Sequence, residues 1–151
     1  MVLNTKHLLD EYIDVYMTSL KYLDSFISEP AMAFKLSFEQ YLIMHTIKES
    51  QNVTLVDIAD SRKVTRSAIS RQIKVLLGLE YIYQERDSND RRRQYLRLTP
   101  RGDEIERVIS KKAEQRFQSW VDYFGEGKAE EILHFIRQFV DVTNLNNPAD
   151  S

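Results

Sequence analysis

The stretch from Thr54 to Gly102 limits what this chain can fold into more than any other part of it. TLVDIAD (Thr54 to Asp60) reads as a short helix, capped by Thr54 with Asp57 at the third helical position. SRKV (Ser61 to Val64) reads as a turn. TRSAISRQIKVLL (Thr65 to Leu77) reads as a second helix, with Thr65 as its cap. Two strand-like runs follow, Tyr81 to Glu85 and Gln94 to Thr99, rich in aromatic and β-branched side chains. Asp, Ser and Asn turn the chain between them. The outcome is a helix-turn-helix backed by a basic hairpin. A helix of this kind suits the major groove of a DNA duplex, and a cationic finger suits the minor groove.

The charge pattern sharpens this. The formal net charge is only −2. Residues 61–101, however, carry eleven Lys or Arg against four acids, a formal +7, which leaves −9 for the rest. A molecule polarised in this way offers one cationic face to a polyanion. On the second helix Ile69, Ile73, Leu76 and Leu77 form one side, and Ser67, Ser70, Arg71 and Lys74 form the opposite one. No carboxylate occurs from Arg62 to Leu79, whereas an ordinary solvated face mixes both signs. At the hairpin tip, Arg91, Arg92 and Arg93 stand together, and guanidinium groups are drawn to the narrow minor groove. Asp90 is placed to hold one of these arginines by a charge-assisted hydrogen bond and so aim another.

The flanks are helical. Over residues 5–28, Leu9, Ile13, Tyr16, Leu20, Leu23 and Ile27 recur at steps of three and four, and Leu8, Tyr12, Val15 and Phe26 widen the stripe. A helix apolar on most sides needs cover on most sides, which points to a second subunit. Pro30 is expected to end that helix or to sit just past it. Ser37 to Gln40 reads as a capping box opening a helix to about Glu49, after which Val53 is expected to form a strand of one or two residues. Thr99-Pro100-Arg101-Gly102-Asp103 reads as a helix start. Gly125 and Gly127 are expected to break that helix before a last one, roughly residues 128–143.

Other chemistry finds little support. With no cysteine, disulfides, thiolate catalysis and cysteine zinc sites are excluded. His7, His45 and His134 are far apart and share no metal-ligand spacing, so no metal is expected. No phosphate loop or nucleophile elbow occurs, so neither an enzyme nor a cofactor is expected. No apolar run approaches the ~20 residues of a membrane helix. The opening MVLNTKHLLDEYIDVY holds acids within its apolar stretch, unlike a signal peptide, and a cytoplasmic location is expected.

With LSFEQYLIMHTI, TLVDIADSRKVTRSAISRQIKVL and DSNDRRRQYLRLTPRGDEI in hand, the chain resembles the MarR family of winged-helix transcription regulators over nearly all its length. The Asp-x-Arg wing (Asp90, Arg92) followed by the Leu-Thr-x-x-Gly helix start (Leu98 to Gly102) is the most specific part of the resemblance. The chain departs from the family where a Gly-Leu-Ile-x-Arg run is usual. Here Glu80-Tyr81-Ile82-Tyr83-Gln84 occupies it, with the nearest glycine at Gly78. The resemblance implies a homodimer joined by terminal helices, two recognition helices in successive major grooves, and wings in the flanking minor grooves.

The expected fold is mainly α with a minor β part: a winged helix-turn-helix lobe at 35–102, a helical dimerisation region at 1–34 and 103–146, and a frayed tail at 147–151. The expected function is dimeric, sequence-specific binding of double-stranded DNA at a pseudo-palindromic operator, as a repressor released by a small-molecule effector. Thr65, Arg66, Ser67, Ser70 and Arg71 are the candidates for base edges or nearby phosphates, and Lys74 for phosphate. Arg92 is the candidate for the minor groove, positioned by Asp90, with Arg91 and Arg93 on the backbone. Tyr12, Tyr16, Tyr41, Met44 and His45 are candidates for an effector pocket, or else for plain junction core. Two other classes stay open at this stage: a winged-helix protein-interaction module without direct DNA readout, and an RNA-binding domain, which here lacks an exposed aromatic sheet.

Overall fold

The computed structural model describes residues 4–146, with side chains to residue 143, so the expected frayed tail lies outside the described residues. The elements run α1 (Thr5–Met32), α2 (Phe38–Glu49), α3 (Leu55–Arg62), α4 (Arg66–Gly78), β1 (Ile82–Arg86), β2 (Gln94–Leu98), α5 (Pro100–Phe124) and α6 (Glu126–Asn146). This is the mainly α winged helix-turn-helix fold expected from the sequence. Among the described residues no helix is long and apolar enough to cross a membrane. The chain divides into two units, Met1–Ala113 and Glu114–Ser151, and α5 runs across the boundary.

The first unit is organised around a core drawn from each of its elements. Ile43 and Met44 of α2, Ile58 of α3, Ile69 and Leu76 of α4, Leu96 of β2 and Ile109 of α5 are fully buried. Each helix starts where a polar cap satisfies free N–H groups. Ser37 and Gln40 form a reciprocal capping box at α2, as do Thr54 and Asp57 at α3. Thr65 accepts from the Ala68 N–H at α4. The strands pair antiparallel, from Ile82 opposite Leu98 to Arg86 opposite Gln94.

The helix ends were less legible. Pro30 lies inside α1 rather than at its end, and the helix runs on to Met32. Pro30 removes one ladder bond, but it and Ala31 are buried against the core, which holds the last turn. The stop comes instead at Lys35, whose φ is +62°. Similarly, α3 continues through Ser61 and Arg62, which the sequence reading placed in the turn, and stops at Lys63 with φ +53°. Helix α4 stops at Glu80 with φ +60°. In all three the left-handed residue and the one after it donate back into the last turn: Leu36 N–H to Ala31 O, Val64 N–H to Ala59 O, and Tyr81 N–H to Leu76 O. This is the Schellman arrangement, with an apolar residue following the left-handed one each time.

Glu80 therefore occupies the conformation that glycine favours, at the place where the resembled family usually has glycine. The left-handed region costs an L residue about 1–2 kcal/mol. Glu80→Gly is expected to stabilise the fold by about 1 kcal/mol, after allowing for glycine's greater freedom when unfolded. Urea denaturation of the two proteins checks this; equal or lower stability of the variant would count against it.

Two smaller expectations fail. Val53 forms no strand; it contributes a single bond, from the Leu96 N–H to its carbonyl at 2.9 Å. Gly127 does not break the chain, because the left-handed Gly125 (φ +90°) has already turned it and Gly127 sits in the first turn of α6. There the Ala129 N–H reaches back to Gly125 O.

Candidate nucleic-acid interface

Helix α4 is fixed from behind. Ile69, Ile73 and Leu76 are buried, and the Gln72 side chain is held by the Gln40 amide at 2.9 Å. Behind it, Arg62 of α3 grips Glu39 of α2 through both carboxylate oxygens, at 2.5 and 2.6 Å. The outer side presents Thr65, Arg66, Ser67, Arg71 and Lys74, all exposed, while Ser70 is half-buried at the edge. The first turn of α4 carries no acid. Small hydroxyl side chains between cations let a helix approach a groove floor closely.

The hairpin tip is folded by its two aspartates. Asp87 accepts from the Asn89 N–H (2.9 Å) and from the Tyr95 hydroxyl (2.8 Å). These bonds, the Asn89 N–H first, hold the Asp87 carboxyl below its ordinary range, and the same aspartate pushes the Tyr95 phenol up. Asp90 accepts from the backbone N–H of Arg92 at 3.0 Å. It therefore sets the backbone that carries Arg92 and holds no arginine side chain, which differs from the expected guanidinium pair. A short local turn is reached more readily by a backbone N–H two residues on than by a long flexible side chain. Tyr95 and Asp87 were not singled out from sequence, although their spacing across a hairpin end is the signal that pairs them.

The cations of 61–101 sort into two groups. Arg62 is paired with Glu39, Arg97 with Glu85, and Arg101 lies over the Tyr81 ring at 5.3 Å. The other eight are Lys63, Arg66, Arg71, Lys74, Arg86, Arg91, Arg92 and Arg93. All are exposed, and none makes a side-chain hydrogen bond or ion pair among the described residues. A hollow between α3 and the hairpin is lined by Leu55, Asp57, Gln84, Arg92, Arg93 and Gln94. Gln84 is the residue standing where an arginine is usual in the resembled family.

The five effector candidates do not gather around one cavity. Tyr12 and Tyr16 are exposed on α1 and stack on each other, with ring centroids 5.8 Å apart. Tyr41 and Met44 are in the core. His45 lies over the Tyr41 ring and joins a partly buried polar cluster that sequence reasoning missed. Its centre is Glu106 of α5, 2 % exposed. Lys48 Nζ approaches Glu106 at 2.7 Å, His45 Nδ1 at 2.9 Å, and the Ser110 hydroxyl donates to it and also meets Tyr41 Oη at 2.6 Å.

Burial pushes the Glu106 carboxyl up, but the bonds from Lys48, Ser110 and His45 outweigh it, and the carboxyl titrates below its ordinary 4.5. The Glu106 bond raises Lys48 against the opposing effect of burial. A depressed carboxyl contributes stability that is complete above its unfolded value and is lost as pH falls through the folded one. Glu106→Gln is expected to cost about 2 kcal/mol at pH 7, the worth of charge-assisted hydrogen bonds. The gap between the two proteins should close as pH drops below 4.5. Circular dichroism at pH 7 and pH 3 checks this, and a constant gap would contradict it.

Residues 36–93 match the profile of the MarR family. Over this lobe the chain is similar to MarR-family winged-helix proteins. It is 29 % identical over 118 residues to YhjH of Bacillus subtilis strain 168, named an uncharacterized HTH-type transcriptional regulator. That alignment covers 76 % of this chain and 66 % of YhjH, so this chain spans just under two thirds of that relative's length. It is 22 % identical to SAV2265 of Staphylococcus aureus strain Mu50, another named HTH-type transcriptional regulator, over 91 % of this chain and 93 % of the relative. The fold is shared with S. aureus MepR in a complex with DNA (TM-score 0.76, 19 % identity, 87 % of this chain and 97 % of that one). It is also shared with S. aureus MarR in complex with salicylate and kanamycin (TM-score 0.73, 21 % identity, 96 % and 94 %). Both of these curated relatives are named as transcriptional regulators.

Proposed function

We propose that this chain is a MarR-family transcription regulator that binds double-stranded DNA as a homodimer at a pseudo-palindromic operator and represses the genes beside it. The observation that carries this is the set of eight exposed, unpaired cations on α4, its leading turn and the hairpin. Structural cations in the same lobe have close partners, whereas these eight face solvent, Arg93 being attracted to Asp57 and Asp87 only at longer range. Thr65, Arg66, Ser67, Ser70 and Arg71 meet base edges or adjacent phosphates, and Lys74 meets phosphate. Arg92 enters the minor groove from a backbone set by Asp90, and Arg91 and Arg93 contact the DNA backbone. Residues 35–102 form the DNA-binding lobe, and 1–34 with 103–146 form the dimerisation region. Exposed apolar residues on α1 (Leu9, Ile13, Leu20, Leu23) and on α6 (Ile132, Ile136, Phe139, Val140) supply the subunit contact. S. aureus MarR binds salicylate and kanamycin. By analogy, a small-molecule effector acts on this chain, with the exposed Tyr12 and Tyr16 of α1 and the partly exposed His45 of α2 as its candidate contacts, while the buried Tyr41 and Met44 serve the core.

Two recognition helices bound to successive major grooves lie ~34 Å apart. Selection from a random duplex library should therefore return inverted repeats with half-sites about ten base pairs apart. Recovery of no duplex at low salt, or preference for RNA over duplex DNA in competition, would overturn the reading. Arg92→Ala is expected to weaken operator binding about tenfold, within the range for one groove-reading arginine, with the dimer unchanged in sedimentation. Wild-type affinity in this variant would remove the minor-groove role.

A further inference from the structure

A two-stranded hairpin has little stability of its own. The tip of this one carries Arg91, Arg92 and Arg93, so its aim depends on what fastens its base. Leu96 supplies one bond, to Val53 O. Thr99, just past β2, bonds Tyr81 O and Glu80 O, and Arg97 supplies three more bonds. Its Nε–H donates to Glu85 Oε2 of β1 at 2.9 Å. One terminal nitrogen donates to Gln51 O at 2.6 Å, and the other to Asn52 Oδ1 at 2.7 Å. The guanidinium also lies over the Tyr95 ring, 5.3 Å from its centre. Tyr95 in turn bonds Asp87 at the tip. One side chain therefore joins both strands to the turn between α2 and α3.

We infer that Arg97 is a positioning residue that fixes the angle of the wing and so holds Arg92 in register with the minor groove while α4 occupies the major groove. Three of its five N–H donors are committed to Glu85, Gln51 and Asn52, which holds the guanidinium at the base of the hairpin and away from DNA. The role rests on the DNA-binding reading above. A lysine keeps the charge but has a single ammonium in place of the planar fork, and cannot meet three acceptors set around it. Arg97→Lys thus separates geometry from charge.

The test has two arms. In the free protein, amide exchange of Ile82–Arg86 and Gln94–Leu98 is expected to quicken about tenfold in Arg97→Lys, with α2 to α4 unchanged, as for local opening of one unit. Asn52→Ala combined with Glu85→Ala removes the two side-chain acceptors and leaves Arg97 in place. It is expected to give the same loosening, which keeps the test sound if Arg97→Lys folds poorly. On the selected duplex, Arg97→Lys should lose hydroxyl-radical protection in the flanking minor grooves and keep it in the major grooves. Its loss of affinity should vanish in an Arg92→Ala background, since both act through one contact. Unchanged hairpin exchange overturns the inference whether or not DNA binds. Losses that multiply in the double variant also overturn it, because Arg97 then acts apart from Arg92. If the wild type binds no duplex, the DNA reading itself fails and the positioning role with it, while the exchange arm still decides whether Arg97 fastens the hairpin.

Discussion

Gly102→Ala is expected to destabilise the first unit by about 3 kcal/mol or more, which for a chain of this size lowers Tm by roughly 10 °C. A Cβ built at Gly102 would lie 1.9 Å from the Tyr81 carbonyl oxygen and 2.7 Å from its carbon. Both are backbone atoms, so no side chain can swing aside. The start of α5 would have to move away from the α4–β1 junction. That movement breaks the Thr99 N–H bond to Tyr81 O (3.0 Å) and the Thr99 hydroxyl bond to Glu80 O (2.7 Å). It also disturbs the Gly102 N–H bond to Thr99 Oγ1 (3.0 Å). Each is worth roughly 1 kcal/mol net. The Thr-x-x-Gly start of α5 thus has a physical reason: the threonine caps the helix and ties it to α4, and the glycine permits the approach. Thermal melts of Gly102→Ala and the wild type check this, and a Tm within two degrees of wild type would show that the junction relaxes.

The second large effect concerns the apolar faces. Leu20 is 44 % exposed on α1 and Phe139 is 58 % exposed on α6. Contiguous apolar faces of this size are rarely left open to water. Leu20→Glu with Phe139→Glu is expected to give a monomer in sedimentation. Each variant chain still carries α4 and the wing, so residual binding to one half-site should remain. Losing the linked second half-site should reduce affinity for the inverted repeat about 100-fold or more. The half-site alone should be bound about as well by the variant as by the wild type. A variant that remains dimeric, or a monomer that binds the inverted repeat as tightly as before, would contradict this account of the helical flanks.

Local signals were the readable part of this chain. Ser37, Thr54, Thr65 and Thr99 mark helix starts because capping is a contact between residues three apart. The outer side of α4 was readable for the same reason, since helical spacing alone puts Arg71 and Lys74 opposite Ile69 and Ile73. The ends of α1, α3 and α4 were not, because the usual sign is glycine and here Lys35, Lys63 and Glu80 take its place. The better sign was the apolar residue that follows each: Leu36, Val64 and Tyr81. Glu106 was missed because one more acid in the mixed-charge run Arg101 to Arg107 reads as solvated, and its partners His45 and Lys48 lie on another helix far back in the chain. Arg97 was counted only as one more cation, and its commitment to Gln51 and Asn52 is a tertiary fact about how the hairpin meets the α2–α3 turn.

The most direct test is to titrate the selected duplex with the wild-type chain at 50 and 200 mM salt while measuring the mass of the complex. Neutralising roughly six to ten phosphates predicts an affinity loss of about 10³-fold or more across that interval. The expected complex holds two chains per duplex. Affinity that hardly changes with salt, a complex with one chain, or no complex at the lower salt would contradict the claim that paired cationic lobes grip the DNA.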